Sequence, residues 1–300
     1  MLKTSLWRPI DKAAMGAIMG RQTGTLCPVI RYASDRGGCA MTILTEQLIQ
    51  QVLQAVREAG ALLTDPDAVR QVTAKSETDF VTNVDLAVQS LLHTRLAALT
   101  PEAQLLGEEG DSREIDPARP FWILDPVDGT TNLIHSFRHS AISLALTEEG
   151  KVTFGVVLQP YTGECFTARA GEGAFLNGTP IHVGGAAVLA DSMISVGTVP
   201  GHRELADQAF ARIRRIYDSC QDVRRTGCAS LDLSYVACGR LDGYVELCLQ
   251  PWDYAAGLLL VTEAGGAVTA LDGSPLPLTH GSSLLASNGL LHSQIQQVAL

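Results

Sequence analysis

Apolar residues recur at helical spacing in two segments in the first third of the chain. The first series predicts an amphipathic helix that begins near Leu44 and ends near Gly60. The second predicts an amphipathic helix over residues 85–96, with an acidic residue in its first turn. Both helices therefore have one face to bury against a neighbouring layer.

A second pattern, the alternation of apolar and polar residues, predicts β-strands in the middle of the chain. Turn residues separate the strands at Glu148-Glu149-Gly150, Tyr161-Thr162-Gly163 and Asn177-Gly178. Short strands are predicted over residues 104–106 and 121–124. Because the turns are short, we expect the strands that follow, at residues 142–147, 152–158 and 164–169, to pair antiparallel in a meander.

After about Val183 helical and strand patterns alternate. Helices are predicted over residues 203–217, 231–238 and 253–264, and strands over residues 244–247 and 267–270. The chain has no GxGxxG motif, which a dinucleotide-binding fold would place after its first strand. The sequence predicts an α+β fold, a layered αβαβα sandwich, in preference to a Rossmann fold.

The predicted domain covers residues 41–300, and the change of pattern divides it into halves of about 41–183 and 184–300. Residues 1–40 have no convincing helix or strand pattern, and Met41 directly precedes the first helix. We expect residues 1–40 to be an unstructured extension or the product of an upstream start codon.

Composition narrows the class of protein. The chain is 46% hydrophobic with a net charge of -10, which favours a large buried core and disfavours nucleic acid or anionic membrane surfaces as partners. Its seven cysteines are scattered, without a CxxC pair, which is typical of free thiols in the cytoplasm. No apolar run approaches the roughly 18 residues of a membrane-spanning helix.

The strongest candidate chemistry lies at Asp125-Pro-Val-Asp128, directly after a predicted strand. The segment from Gly129 to Asn132 follows it and resembles a helix start, where backbone N–H groups bind anions. A carboxylate pair beside an anion site is electrostatically consistent only if a cation lies between them. With a divalent metal ion the arrangement becomes a phosphate-processing site, in which the hydroxyl of Thr130 can orient a water molecule.

Three further acidic sites accompany this pair: Asp85 at a helix start, Glu108-Glu109 after a strand, and Asp253 after Pro251-Trp252. Each has an ordinary explanation, because aspartate often caps helices and paired glutamates often lie in exposed turns. Together they offer hard oxygen ligands without a histidine or cysteine cluster, and such ligands favour Mg²⁺, Mn²⁺ or Ca²⁺ over zinc.

Two motifs resemble the signatures of the inositol monophosphatase family. One runs from Asp125 to Asn132, and the other from Trp252 to Gly266. The resemblance covers the chain from about Thr45 to the C-terminus. It implies the αβαβα sandwich, dependence on two or three Mg²⁺ ions, a homodimer, and inhibition by Li⁺.

The resemblance also implies roles for individual residues. Glu108, Asp125 and the carbonyl of Val127 match the ligands of one metal ion, and Asp125, Asp128 and Asp253 match those of a second. Glu109 matches a residue close to the metal ions that is not a direct ligand. Asp85, Glu108 and Thr130 match the catalytic residues that position the attacking water. Substrate-binding roles fall on Asp128, Gly129, Thr130, Ala229, Glu246 and Asp253.

These observations predict a Mg²⁺-dependent phosphomonoesterase that acts on a small polyol phosphate, with myo-inositol 1-phosphate as the first choice. Relatives that act on 3′-phosphoadenosine 5′-phosphate, fructose 1,6-bisphosphate or histidinol phosphate are the nearest alternatives. An alternative of another class is a regulatory module that binds RNA or the transcription machinery, which the Arg224-Arg225-Thr-Gly segment suggests.

Overall fold

The computed structural model describes residues 43–65, 72–74, 80–109 and 114–300. The predicted extension at residues 1–40 lies outside these ranges. The described residues form seven α-helices and fourteen strands. The helices are α1 (Glu46–Thr64), α2 (Asn83–Leu99), α3 (Thr130–Ile134), α4 (Ala206–Ser219), α5 (Ala229–Ala237), α6 (Pro251–Glu263) and α7 (His292–Ala299).

The larger sheet has seven strands, which lie in chain order across the sheet. Its first two strands are parallel, and every later pair is antiparallel, so the predicted meander is confirmed. Asn177 and Gly178 form the last hairpin turn with φ of 51° and 78°. The strands are β3 (Gln104–Gly107), β4 (Phe121–Asp128), β5 (Ala141–Glu148), β6 (Lys151–Gln159), β7 (Glu164–Arg169), β8 (Gly173–Leu176) and β9 (Thr179–Ile181).

The second sheet has five strands, in the order β11-β10-β12-β14-β13. The strand β10 is parallel to both of its neighbours, and β14 is antiparallel to both of its own. A separate two-stranded hairpin, β1 (Val72–Ala74) with β2 (Phe80–Thr82), precedes α2. The strands of the second sheet are β10 (Met193–Val196), β11 (Asp222–Arg224), β12 (Gly243–Leu249), β13 (Ala267–Thr269) and β14 (Ser282–Ser287).

Three hydrophobic cores show how the layers are stacked. Helices α1 and α2 pack on one face of the larger sheet, where Trp122 and Leu124 of β4 are buried. Helices α5 and α6 pack on its other face, against Phe121 and Ile123 of the same strand, and also contact the second sheet. Helices α4 and α7 cover the remaining face of the second sheet. The predicted αβαβα sandwich is confirmed.

Strand β4 is longer than the pattern predicted. The prediction ended it at Leu124, whereas the strand continues through Pro126 to Asp128, and all eight of its residues are buried. A β-bulge makes this possible, because three residues of β4 follow Asp125 where β5 advances by two, from Ser143 to Ala141. Bulges accommodate proline and redirect side chains, and this one lies at the acidic end of the strand.

No helix among the described residues is long and apolar enough to cross a membrane. The described cysteines, at positions 165, 220, 228, 238 and 248, are all free thiols.

Candidate active site

The bulged end of β4 is followed by a sharp change of chain direction. Asp125 Oδ1 accepts the backbone N–H of Val127 at 2.9 Å, which closes a short local turn. Gly129 adopts a left-handed conformation with φ of 86°, and a Cβ there would lie 3.1 Å from the carbonyl oxygens of Gly227 and His139. Glycine is therefore favoured at position 129 by conformation and by space. Helix α3 begins at the next residue, Thr130, as the sequence predicted.

The fold brings together three of the predicted metal ligands. Carboxylate oxygens of Asp125, Asp128 and Asp253 all lie within 4.8 Å of one another. We call these three residues the acidic cluster. Asp125 and Asp128 are buried and Asp253 is partly buried, although Asp253 lies 125 positions further along the chain than Asp128. Such a spacing of oxygen atoms is compatible with binding a metal ion.

The electrostatics of the acidic cluster are unfavourable for three negative charges. Burial raises the pKa of Asp125 well above its usual value, and the nearby carboxylates of Glu108, Asp128 and Asp253 raise it further. Burial, followed by the charge of Asp128, raises the pKa of Asp253 in the same way. A cation between these groups would remove the repulsion, since an opposite charge stabilises the ionised form.

Asp128 has a partly compensating environment, because it lies at the first turn of helix α5. Its carboxylate accepts the backbone N–H groups of Ser230 at 2.6 Å and Ala229 at 3.3 Å, and the thiol of Cys228 at 3.2 Å. Burial raises the pKa of Asp128, while these hydrogen bonds oppose the rise. The positive end of the helix dipole also favours the carboxylate.

The ordinary helix-capping roles considered for Asp85 and Asp253 are also present. Asp85 and Thr82 form a capping box at the start of α2, and Asp253 accepts the backbone N–H of Gln250 at 2.6 Å at the start of α6. Capping and site formation do not exclude each other, because each cap uses only part of the four acceptor positions of a carboxylate. The cap fixes the side chain at the beginning of a rigid helix.

Glu108 lies at the end of β3 and outside the set of three, but it is electrostatically coupled to Asp125 and Asp253. Its backbone N–H donates to the carbonyl of Leu124 at 3.1 Å, so the turn that contains Glu108 is attached to β4. The neighbouring Glu109 is buried, and its backbone is held by Gln89 of α2. The Gln89 amide accepts the N–H of Glu109 at 3.1 Å and donates to its carbonyl.

Thr130 and Asp85 form a second polar pair beside the acidic cluster. The Thr130 hydroxyl lies 3.1 Å from Asp85 Oδ1 and 3.0 Å from the carbonyl oxygen of Val127, two acceptors for its single proton. Asp85 is fully buried, and burial raises its pKa. The carbonyl of Val127, another predicted ligand, therefore lies at the junction between this pair and the acidic cluster.

A cleft of about 600 Å³ opens beside these residues and is of a size suited to a small ligand. Most of the predicted substrate-binding side chains line it, including Asp128, Ala229, Glu246 and Asp253. Glu108, Glu109 and Trp252 also line the cleft. Residues separated by as many as 145 positions, Glu108 and Asp253, thus meet at one cavity.

Several contacting residues were missed by the analysis of the sequence. Cys228 was interpreted as a small buried residue, and it is buried, but its thiol also contacts Asp128. Gln89 and the segment 199–202, which lines the cleft, were not identified. Gln89 follows Asp85 by four positions, so helical spacing offered a signal for it. The approach of segment 199–202 depends on the fold and left no signal in the sequence.

The profile of the inositol monophosphatase family matches residues 40–299. The chain belongs to the inositol monophosphatase family. Family membership confirms the resemblance carried by the two motifs and supports a phosphatase.

Individual relatives agree with this assignment. An inositol-1-monophosphatase of Rhizobium meliloti is 40% identical, and the match covers 78% of this chain and 90% of the relative. The Nus factor SuhB of Escherichia coli is 38% identical, over 75% of this chain and 86% of that protein. A solved inositol monophosphatase/NADP phosphatase, complexed with Mg²⁺ and phosphate, is 27% identical with a TM-score of 0.75. That match covers 84% of this chain and 95% of the other, so the family fold is shared across nearly the whole solved domain.

Proposed function

We propose that this chain is a Mg²⁺-dependent phosphomonoesterase that hydrolyses a small polyol phosphate, with myo-inositol 1-phosphate as the leading substrate. The observation that carries the proposal is the acidic cluster, three converging carboxylates of which two, Asp128 and Asp253, line a cleft. Membership of the inositol monophosphatase family supports the reaction class. A metal-dependent hydrolase needs the complete set of carboxylates, whereas a protein that only binds partners does not need it.

The chemistry of the donor set fits Mg²⁺. The donors are carboxylate and carbonyl oxygens, and an open cleft leaves space for a phosphate. Burial, together with the negative charge of neighbouring carboxylates, raises the pKa values of Asp125 and Asp253. Glu108, Asp125 and the Val127 carbonyl would hold one ion, and Asp125, Asp128 and Asp253 a second, with Glu109 nearby. When bound, two or three Mg²⁺ ions would supply positive charge to the phosphoryl group and promote ionisation of water.

The protein's own groups orient the nucleophile. The Thr130 hydroxyl donates its single proton to Asp85 or to the Val127 carbonyl, and in either case its oxygen lone pairs can accept a hydrogen bond from the attacking water. The capping box fixes Asp85 beside this hydroxyl. Glu108 borders the same cleft and completes the proposed catalytic set. General-base positioning of this type typically contributes 10²–10⁴-fold to the rate, as an order of magnitude.

The substrate is held at both of its ends in this proposal. The backbone N–H groups of Gly129 and Thr130 bind the phosphate at the beginning of α3. Asp253 and Ala229 lie at the part of the cleft assigned to the leaving oxygen, and Glu246 accepts hydrogen bonds from substrate hydroxyls. A carboxylate suits that role because it accepts from two adjacent hydroxyls at once.

A phosphate-release panel on the purified protein tests the proposal. We expect Mg²⁺-dependent release from myo-inositol 1-phosphate that exceeds release from 3′-phosphoadenosine 5′-phosphate, fructose 1,6-bisphosphate and histidinol phosphate. Chelation by EDTA should abolish release and added Mg²⁺ should restore it. Preference for one of the other substrates would replace the substrate assignment, and undiminished release in EDTA would contradict metal dependence.

The Nus factor relatives favour a second candidate, a regulatory module that contacts RNA or the transcription machinery. The Arg224-Arg225 pair suggested it, but Arg224 pairs with Asp222 and Arg225 donates to Thr198 at 3.1 Å, so both arginines have partners within the chain. Stoichiometric binding of a partner, without phosphatase activity in Mg²⁺, would favour this candidate.

Two properties of the proposed enzyme follow from the family resemblance, a homodimer and inhibition by Li⁺, and the scattered cysteines of the sequence predict action in the cytoplasm. The free thiols of the described cysteines agree with a reducing compartment. Sedimentation equilibrium tests the dimer, and the phosphate-release panel with added Li⁺ tests the inhibition.

Gln89→Leu should weaken Mg²⁺ binding by roughly ten- to a hundredfold, the usual cost of removing a group that orients metal ligands. The reason is that the side-chain amide of Gln89 accepts the backbone N–H of Glu109 and also donates to its carbonyl, which fixes the Glu108-Glu109 turn. The measurement is Mg²⁺ affinity by calorimetry together with the Mg²⁺ dependence of phosphate release. Gln54→Leu is the matched control, because Gln54 donates only to Glu58 on the exposed side of α1. Equal Mg²⁺ affinity in the two folded variants would show that the Gln89 contact has no such role.

A further inference from the structure

Glu246, the residue proposed to bind substrate hydroxyls, is held by a group that the reaction itself does not use. The buried Tyr244 lies two positions earlier on β12, and its hydroxyl donates to Glu246 Oε2. Residues two apart on a strand project from the same face, so the two side chains meet without distortion of the strand. The phenol of Tyr244 is fully enclosed, which fixes the direction of the hydrogen bond.

A strained segment lies beside this carboxylate. Val199 lines the same cleft as Glu246. Val199 has a φ of 46°, a left-handed conformation that is rare and unfavourable for a β-branched residue. Strained backbone of this type is concentrated at functional sites, where the surrounding structure maintains it.

Gly197 supplies the space for the carboxylate. A Cβ at position 197 would overlap the carboxyl group of Glu246, so any larger residue there would displace it. The backbone N–H of Gly197 donates to the carbonyl of Val245 at 2.9 Å, which keeps this segment attached to β12. Glycine at position 197 is therefore required by the close approach of the carboxylate. The backbone conformation does not require it, since its φ lies outside the left-handed region.

The hydrogen bond from Tyr244 leaves part of the Glu246 carboxylate available to substrate hydroxyls. A carboxylate offers about four acceptor positions, and Tyr244 occupies one of them. The others can accept hydrogen bonds from two adjacent hydroxyls of a polyol. Without the Tyr244 donor the carboxylate would be free to rotate, and its remaining acceptors would no longer have a fixed direction.

We propose that Tyr244 is a specificity-determining positioning residue, which fixes the Glu246 carboxylate so that the site selects phosphoesters with two adjacent hydroxyls. This inference rests on the proposed function and extends it. It assigns the preference for a polyol to a buried phenol that does not touch the substrate.

The test compares two substrates in the full-length enzyme with Mg²⁺. One is myo-inositol 1-phosphate, and the other is p-nitrophenyl phosphate, whose leaving group has no hydroxyl for Glu246 to bind. For Tyr244→Phe we expect the ratio of the two kcat/KM values to fall by about tenfold, the equivalent of one charge-assisted hydrogen bond. The loss should appear mainly as a higher KM for myo-inositol 1-phosphate.

Tyr254→Phe is the matched control. Tyr254 is as deeply buried as Tyr244. Its hydroxyl lies within hydrogen-bond distance of two backbone carbonyls, those of Pro277 and His280, and not of Glu246. We expect this variant to lose a comparable amount of thermal stability and to keep the substrate ratio. Gly197→Ala, which displaces the same carboxylate without touching the phenol, should lower the ratio as Tyr244→Phe does.

A double-mutant cycle makes the result decisive. In a Glu246→Ala background, Tyr244→Phe should leave the substrate ratio unchanged, because the carboxylate that it positions is gone. An unchanged ratio in Tyr244→Phe alone, or a fall that persists without Glu246, would overturn the inference while leaving the phosphatase intact. Absence of Mg²⁺-dependent hydrolysis of both substrates by the unmodified enzyme would instead overturn the proposed function and this inference with it.

Discussion

Asp125→Asn is expected to lower kcat/KM for the preferred phosphoester by about a thousandfold or more, with folding preserved. Asp125 is the one residue assigned to both proposed metal ions, and one of its carboxylate oxygens lies within 4.8 Å of those of Asp128 and Asp253. Losing its charge weakens two sources of electrostatic stabilisation at once, where one such group typically contributes 10²–10³-fold, as an order of magnitude. Phosphate release at saturating Mg²⁺ measures the effect.

The same substitution should raise the stability of the metal-free protein. Burial and three neighbouring carboxylates raise the folded-state pKa of Asp125 above its unfolded value, so ionisation favours the unfolded chain. The unmodified protein without metal should therefore lose stability as pH rises from the unfolded pKa towards the raised folded pKa. The Asp125→Asn variant should lose less stability than the unmodified protein across that pH range. Thermal denaturation in EDTA at several pH values provides the measurement.

Asp242→Asn is a suitable control for both measurements, because the Asp242 carboxylate accepts the backbone N–H of Met193 at 3.0 Å and has no assigned part in the site. It should reduce stability modestly and leave turnover near that of the unmodified enzyme. Near-normal turnover in Asp125→Asn, at saturating Mg²⁺, would refute the proposed mechanism.

Thr130→Val has the second-largest expected effect, a loss of about a hundredfold in kcat with a small change in KM. Valine keeps the shape of threonine and removes the hydroxyl that lies 3.1 Å from Asp85. If that hydroxyl orients the attacking water, its loss affects the chemical step more than substrate binding. Steady-state kinetics with myo-inositol 1-phosphate measures both parameters.

Thr130→Ser retains the hydroxyl and should keep most of the activity. Asp85→Asn should reduce kcat comparably to Thr130→Val, and the double variant should be little worse than either single one, because the two residues act as a unit. Strictly additive losses, or full activity in Thr130→Val, would remove this pair from the mechanism.

The sequence predicted the parts of the site that are encoded locally. Asp125, Asp128 and Gly129 lie within five consecutive positions. The end of an apolar strand and a glycine at a helix start are local signals, and together they predicted the chemistry of these residues. The layered sandwich was also predictable, because helical and alternating patterns differ clearly along the chain. The capping roles of Asp85 and Asp253 follow from their positions at helix starts.

Contacts formed by tertiary packing could not be predicted from the pattern. The approach of α5 to Asp128 places three donors on a residue a hundred positions away, and no local signal encodes it. The extension of β4 through Pro126 was missed because proline ordinarily ends a central strand, and the bulge overrides that rule. The pairing of Tyr244 with Glu246 was accessible in principle, since residues two apart on a strand share a face.

The most direct test of the central claim is a crystal structure with Mn²⁺ and phosphate, in which anomalous scattering locates the metal ions independently of activity. We predict that the anomalous density places Mn²⁺ ions at the carboxylate oxygens of Asp125, Asp128 and Asp253, with phosphate in the adjoining cleft. Occupied metal sites elsewhere on the protein, with no anomalous density at these three carboxylates, would contradict the account.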